Sequence, residues 1–215
     1  IEMFEKFMAD ILFTQLLKRP NIEKAYAMVP PTDSWYDTIT KVHNSLKEIQ
    51  AQLHDILELT SHDNLKLKGV YYPNNNSKKV TVICVHGYTS HAEREWAFPG
   101  LFYLSLGYNV LIPYQRAHGL SEGKYITFGI LESRDCKTWS EWLMREKGAE
   151  HPVYFDGVSM GATSVLLASA LDLPPNVKGI IADCGFSSPK DIFADITTRV
   201  IKVNPFLLLK STDIF

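Results

Sequence analysis

A serine flanked by glycines, Gly157-Val158-Ser159-Met160-Gly161, lies between a buried-strand pattern and a helix-forming pattern. The strand pattern is Pro152-Val153-Tyr154-Phe155-Asp156, and the helical run is Ala162 to Leu171. A G-x-S-x-G sequence at such a junction is a nucleophile elbow, and the chemistry it suits is attack on an acyl carbon. The turn leaves almost no room for a Cβ on either side of the serine, which accounts for glycine at 157 and 161. The Ser159 hydroxyl is then held above the sheet edge, at the positive end of the following helix. A serine hydroxyl is a weak nucleophile until a base takes its proton, usually a histidine oriented by a carboxylate. No histidine follows Ser159; the last one is His151.

Stepping outward, the elements that must position this serine are legible from periodicity. Val80 to Val85, Tyr108 to Pro113, Val153 to Phe155 and Val177 to Ala182 are nearly continuous apolar runs. Helical stretches separate them, around residues 93–106, 132–146 and 161–171. Buried strands alternating with helices predict a parallel sheet covered on both faces. Upstream, Leu57-Glu58-Leu59-Thr60 and Leu65 to Tyr72 flank the turn residues Ser61-His62-Asp63-Asn64, which predicts a β-hairpin. The expected fold is therefore α/β, a doubly wound, mostly parallel sheet with an antiparallel N-terminal hairpin.

Two helical patterns precede the hairpin. The first covers residues 1–18 and ends at Pro20. The second carries Trp35, Ile39, Val42, Leu46, Ile49, Leu53 and Ile56 in one stripe, with Asp33 or Ser34 as its cap. It is expected to pack across the domain, with His43 and His54 in solvent. The chain divides into an N-terminal helical segment (1–55), a core (56–186) and the start of a cap over the site (187–215). Pro189, Pro205 and the apolar run Phe206 to Leu209 mark that cap, and such lids often set substrate choice.

Composition bounds the function. The 215 residues carry a formal charge of −2 and are 46% hydrophobic, which suits one globular domain with a sizeable core. Near-neutral charge offers nothing to nucleic acid or to an anionic membrane. The longest apolar runs are too short to span a bilayer. Cys84, Cys136 and Cys184 are odd in number and form no C-x-x-C, so they read as buried free thiols of a reducing compartment. The expected location is the cytoplasm. The sequence begins at Ile1, not Met, so a leader or membrane anchor upstream stays open.

In a sheet of this kind the active site forms outside the C-terminal strand ends. After the first parallel strand comes His86-Gly87-Tyr88-Thr89-Ser90. Acyl transfer generates an oxyanion that needs preorganised donors. The backbone N–H of Met160 is one candidate, and that of Tyr88, freed by the turn at Gly87, is the other. After the next strand comes Arg116-Ala117-His118-Gly119-Leu120-Ser121, and further on Gly123 to Gly129 and Ala182-Asp183-Cys184-Gly185-Phe186. Val85-His86-Gly87, the Arg116–Ser121 loop and the Gly157–Gly161 elbow together resemble the α/β-hydrolase superfamily. Over about residues 56–200 the chain is most similar to a bacterial branch of hydrolases described as esterases or serine peptidases.

The resemblance implies further expectations. His86 points away from the nucleophile and supports its loop, and His118 is a structural loop histidine. The family commonly has Asp-x-Arg-Gly-His-Gly in the second loop, where Tyr114 here replaces the Asp and Ala117 the Gly. The family's acid and histidine follow a seventh and an eighth strand, so the sequence is expected to be truncated before them. Asp183 is a minor candidate for the acid. A sixth strand left as a bare edge would self-associate or recruit the polypeptide carrying the last strands. The implied activity is ester hydrolysis through an acyl-enzyme on Ser159, with a small-molecule ester or amide as substrate and no cofactor or metal. Peptidase and thioesterase activities use the same machinery. The alternative of another class is an inactive, hydrolase-like binding scaffold.

Overall fold

Strands that are apolar at nearly every position must bury both faces, and the chain solves this with one sheet between two helical layers. The computed structural model describes residues 17–20, 30–75, 78–196 and 198. The elements run α1 (Tyr36–Gln50), β1 (Asp55–Thr60), β2 (Lys66–Tyr72), β3 (Thr81–Val85), α2 (Ala92–Ser105), β4 (Asn109–Pro113), α3 (Ile130–Lys147), β5 (Val153–Val158), α4 (Met160–Ala168), β6 (Val177–Asp183) and α5 (Pro189–Ile196). The sheet order is β1-β2-β4-β3-β5-β6. β1 and β2 form an antiparallel hairpin, and β2 pairs antiparallel with β4. β4, β3, β5 and β6 are mutually parallel. The hairpin closes on Asn64 at φ 66°, a conformation asparagine tolerates, while the Ser61 hydroxyl accepts the Leu65 N–H at 2.9 Å.

Alternate residues of each central strand feed opposite cores. Ile83, Val85, Leu111 and Phe155 pack with Trp139 and Leu143 of α3 and Val165 of α4. Val82, Cys84, Val110 and Ile112 pack with Trp96 and Ala97 of α2 and with Ile49 of α1. The strand that delivers the serine, β5, therefore lies between β3 and β6 with its carboxyl end free to turn.

Several expectations are corrected. The stripe expected to continue to Ile56 ends with the helix at Gln50, where the Ala51 N–H closes back on Lys47 O at 3.1 Å. Trp35 and Leu53 are exposed, and Ile56 belongs to β1. Neither Asp33 nor Ser34 caps α1; Trp35 is the N-cap, and Asp33 instead accepts the Trp35 N–H at 2.8 Å. Cys84 and Cys136 are buried free thiols, but Cys184 is exposed because it follows an edge strand. The helix expected over 1–18 lies outside the described residues except at Leu17 and Lys18. Lys18 is not helical; it forms an antiparallel bridge with Tyr125. The cap segment beyond α5 lies outside the described residues apart from Thr198. Among the described residues no helix is long and apolar enough to cross a membrane.

Candidate active site

Ser159 sits directly after β5 at φ 54° and ψ −117°. For a residue with a side chain this backbone costs about 1–3 kcal/mol, so the surroundings must enforce it. They do so by contact. A Cβ on Gly161 would lie 2.0 Å from Val85 O, and one on Gly157 would lie 2.5 Å from Gly161 O. The Ser159 N–H donates to Asp183 O at 2.8 Å, and Ser159 O accepts the Thr163 N–H at 3.1 Å. The serine is half-buried and its hydroxyl makes no cap hydrogen bond to the helix. Met160 is the first residue of α4, so its N–H has no partner within the helix and stands at the positive end of the dipole.

The loop after β3 closes against this serine. A Cβ on Gly87 would stand 3.4 Å from Ser159 Cβ. The Gly87 N–H is taken by Glu95 Oε2 at 2.7 Å, so this amide is not the one left to face the nucleophile. Burial pushes the Glu95 carboxyl up, while the Gly87 N–H and the Ser90 side chain pull it down. Glu95 was not singled out from sequence; its only signal is an acid in the first turn of the helix after the loop. The Tyr88 ring stacks on Phe128 at 5.1 Å between centroids.

Both loop histidines, His86 and His118, are committed to main-chain atoms. His86 is fully buried; its Nε2 accepts the Gln115 N–H at 3.1 Å and its Nδ1 lies 2.8 Å from Gly87 O. His118 Nε2 accepts the Thr89 N–H at 3.1 Å, and its Nδ1 lies 3.0 Å from Arg116 O. An Nε2 that accepts from an amide and an Nδ1 that faces a carbonyl define the neutral Nδ1–H tautomer in each ring. The rings meet edge-on at 4.7 Å. Burial, with His118 beside it, pushes His86 well below its ordinary range, and burial pushes His118 down to about 4. Each ring therefore has both nitrogens occupied.

The second loop is held in place with Tyr114 at the position where the resemblance implied Asp. The Tyr114 hydroxyl donates to buried Glu93 at 2.5 Å, and Glu93 also accepts from Tyr72 at 3.1 Å. Ala117, where the resemblance implied glycine, is buried at φ 61°, a strained backbone for a residue with a Cβ. Arg116 grips Asp135 through Nε and Nη2, both at 2.7 Å, and Asp63 through Nη1 at 2.9 Å. Two carboxylates on one buried guanidinium tie this loop to α3 and to the hairpin turn. The Arg116 hydrogen bond holds Asp63 well below the usual carboxylate range, whereas burial pushes Asp135 up to about 6 against the pull of Arg116. His62, Asp63 and Asp135 come within 4.8 Å of one another, the spacing of a cation site. The Arg116 guanidinium already occupies oxygens of both carboxylates and sets a positive charge against them, so this set does not fit a metal ion.

The structure thus brings together Ser159, Met160 and Gly87, framed by Gly157 and Gly161, with Tyr88 next to Gly87 in the same loop. His86 and His118 stand behind the loops. Asp183 contributes its carbonyl to the Ser159 amide, and its side chain is exposed.

A mixed sheet with an antiparallel hairpin, helices on both faces and a serine on a strained strand-to-helix turn defines the α/β hydrolases. Within that class, residues 62–206 match the X-Pro dipeptidyl-peptidase (S15) family, and the chain belongs to it. An esterase from Pyrococcus furiosus is similar at 31% identity and a TM-score of 0.57, over 76% of this chain and 63% of the esterase. An α/β hydrolase from Vibrio vulnificus shares the fold at a TM-score of 0.59 and 19% identity, over 96% of this chain and 66% of that one. The uncharacterized protein YqkD of Bacillus subtilis (strain 168) is 29% identical over 156 residues, 73% of this chain. The chain spans about half the length of that relative, 48%.

Proposed function

We propose that this chain carries the nucleophile and oxyanion half of a serine hydrolase that cleaves carboxylic esters. Ser159 Oγ attacks the acyl carbon while its proton passes to a histidine supplied by polypeptide outside these 215 residues. The oxyanion of the tetrahedral intermediate takes hydrogen bonds from the N–H groups of Met160 and Tyr88. Collapse expels the alcohol, which receives the proton from the imidazolium, and leaves the acyl group on Ser159. Water then attacks the acyl-enzyme, gives its proton to the same histidine, and releases the carboxylic acid and the free serine. His86 and His118 hold the loops and transfer no proton. No step in this sequence calls for a metal or an organic cofactor.

The observation that carries the reading is the backbone of Ser159, held at φ 54° by contacts that only glycine at 157 and 161 permits. Strain of this kind persists where function requires it. Similarity to the Pyrococcus furiosus esterase favours an ester substrate. The family description favours a second reading with the same machinery, cleavage of an X-Pro dipeptide from a peptide amino terminus.

Intact-mass spectrometry before and after a fluorophosphonate probe tests the proposal. One adduct is expected, lost in Ser159→Ala. Absence of an adduct on a folded chain, with and without polypeptide supplying the histidine, makes the protein a binding scaffold instead. Turnover of a p-nitrophenyl ester against an X-Pro p-nitroanilide then separates the two hydrolytic readings.

A further inference from the structure

The short segment Leu17–Pro20 touches the active-site loops from far away in sequence. Lys18 bridges Tyr125, the Ile126 N–H donates to Leu17 O at 2.6 Å, and the Arg19 N–H donates to Lys124 O at 2.9 Å. The Arg19 guanidinium, 102 positions from Ser121, donates to Ser121 O at 2.6 Å and also to Gly119 O. Leu17 is buried against Phe128, with Tyr88, Phe186 and Ile192 packed on the pair. The gripped loop in turn meets the oxyanion loop at two points. Phe128 stacks on Tyr88, and His118 accepts the Thr89 N–H.

We propose that residues 17–20 are a clamp that sets the position of the oxyanion loop, and that Arg19 is a positioning residue of the active site. Its effect on rate rests on the serine-hydrolase reading; its effect on loop order does not. Arg19 is solvent-exposed and outside both cores, so its two charge-assisted bonds hold the loop locally and not the fold globally. Without them the turn at Gly119–Ser121 loses its tether, His118 loses its fixed place beneath Thr89, and the Tyr88 amide drifts. A displacement of about 1 Å at a reacting group is enough to cost turnover on the order of a hundredfold, while substrate binding elsewhere is kept.

The test uses the 215-residue chain with Arg19→Ala and Arg19→Lys. Amide hydrogen exchange is followed at residues 86–90 and 119–128, together with the second-order rate of fluorophosphonate labelling at Ser159. In Arg19→Ala, exchange at Thr89 is expected to rise about tenfold or more, the factor set by loss of a hydrogen bond to a charged group. Labelling slows by a similar factor. Protection of β3 and β5 amides stays at the parent level. Arg19→Lys, which keeps the charge but not the two-pronged geometry, recovers part of both effects. Unchanged exchange at Thr89 in Arg19→Ala overturns the clamp, and so does a loss of protection spread equally over β3 and β5. If the parent chain takes no label either alone or with the polypeptide that supplies the histidine, the hydrolase reading falls and Thr89 exchange alone decides the clamp.

Discussion

Ser159 is held by neighbours that have no freedom to yield. The atom a Gly161 methyl would strike is Val85 O, a main-chain oxygen at the end of a central strand, 2.0 Å from the ideal Cβ position. Relief would require moving β3 or the start of α4. Gly161→Ala is therefore expected to lose roughly 3 kcal/mol, the upper range of overpacking, or to fail to accumulate as folded protein. Gly148 is the control. Unlike helical Gly161 it has a positive φ, 92° with ψ 160°, but nothing lies within 4 Å of its Cβ position. Gly148→Ala should lose only about 1 kcal/mol, the backbone term alone. Urea midpoints of the two variants decide the matter; equal losses would mean that the elbow is not enforced by close approach. The glycines around Ser159 were legible because a tight turn demands them wherever it occurs. Glu95 was not, because an acid in the first turn of a helix is ordinary, and only the folded loop reveals that its carboxylate occupies the Gly87 amide.

At the scale of elements, two neutral histidines latch the loop after β3 to the loop after β4. The latch requires each Nε2 to accept an amide hydrogen, and protonation converts that acceptor into a donor facing a donor. For His118 the folded value is about 4 against an ordinary 6.5. Between these values the unfolded chain binds a proton that the folded chain refuses, so stability is fully present above 6.5 and declines as pH falls toward 4. The full effect is on the order of 3 kcal/mol. His86 is displaced in the same direction, so it adds to the same loss. His118→Asn removes the titrating group, and its urea midpoint should vary less with pH between 4 and 6.5 than the parent's. Parallel curves for the two proteins would show that the latch does not titrate with folding. Strands and helices of the core were legible because β3, β4 and β5 are apolar at nearly every position, a pattern few alternatives share. The end of α1 was missed because Leu53 and Ile56 extend its apolar spacing while both are exposed. The pairing of Lys18 with Tyr125 left no trace in the sequence, since a single main-chain bridge across a long separation imposes no periodicity.

The whole molecule leaves the β5–β6 end of one sheet face, and the β6 edge, uncovered among the described residues. β6 pairs with β5 and has no described partner on its other side. α2 covers β3 and β4, and by the alternation of β5 and β6 the residues on that same face beyond it are Tyr154 and Ile181, both exposed. Phe98 and Phe102 of α2 and Leu106 at its C-cap, spaced by four, add exposed apolar side chains. Several exposed apolar side chains together with an open strand edge favour association. We expect the 215-residue polypeptide to self-associate through this face, reversibly and in a concentration-dependent way. The charge balance opposes it little, with 22 basic and 24 acidic residues. Multi-angle light scattering from about 1 to 100 µM should show mass rising with concentration, and Phe102→Lys with Ile181→Lys should move the midpoint upward by about tenfold or more, the cost of placing charges in an apolar contact. Both side chains lie outside the buried cores, so the thermal midpoint of the double variant should stay within a few degrees of the parent's. A chain that stays monomeric across that range has this face covered already, and the expectation fails. If the mass rises but the two lysines leave it unchanged, association runs along the β6 edge by strand pairing. A proline at Ile180, within the β6 ladder, is then the variant that should abolish it, because proline removes the ladder N–H.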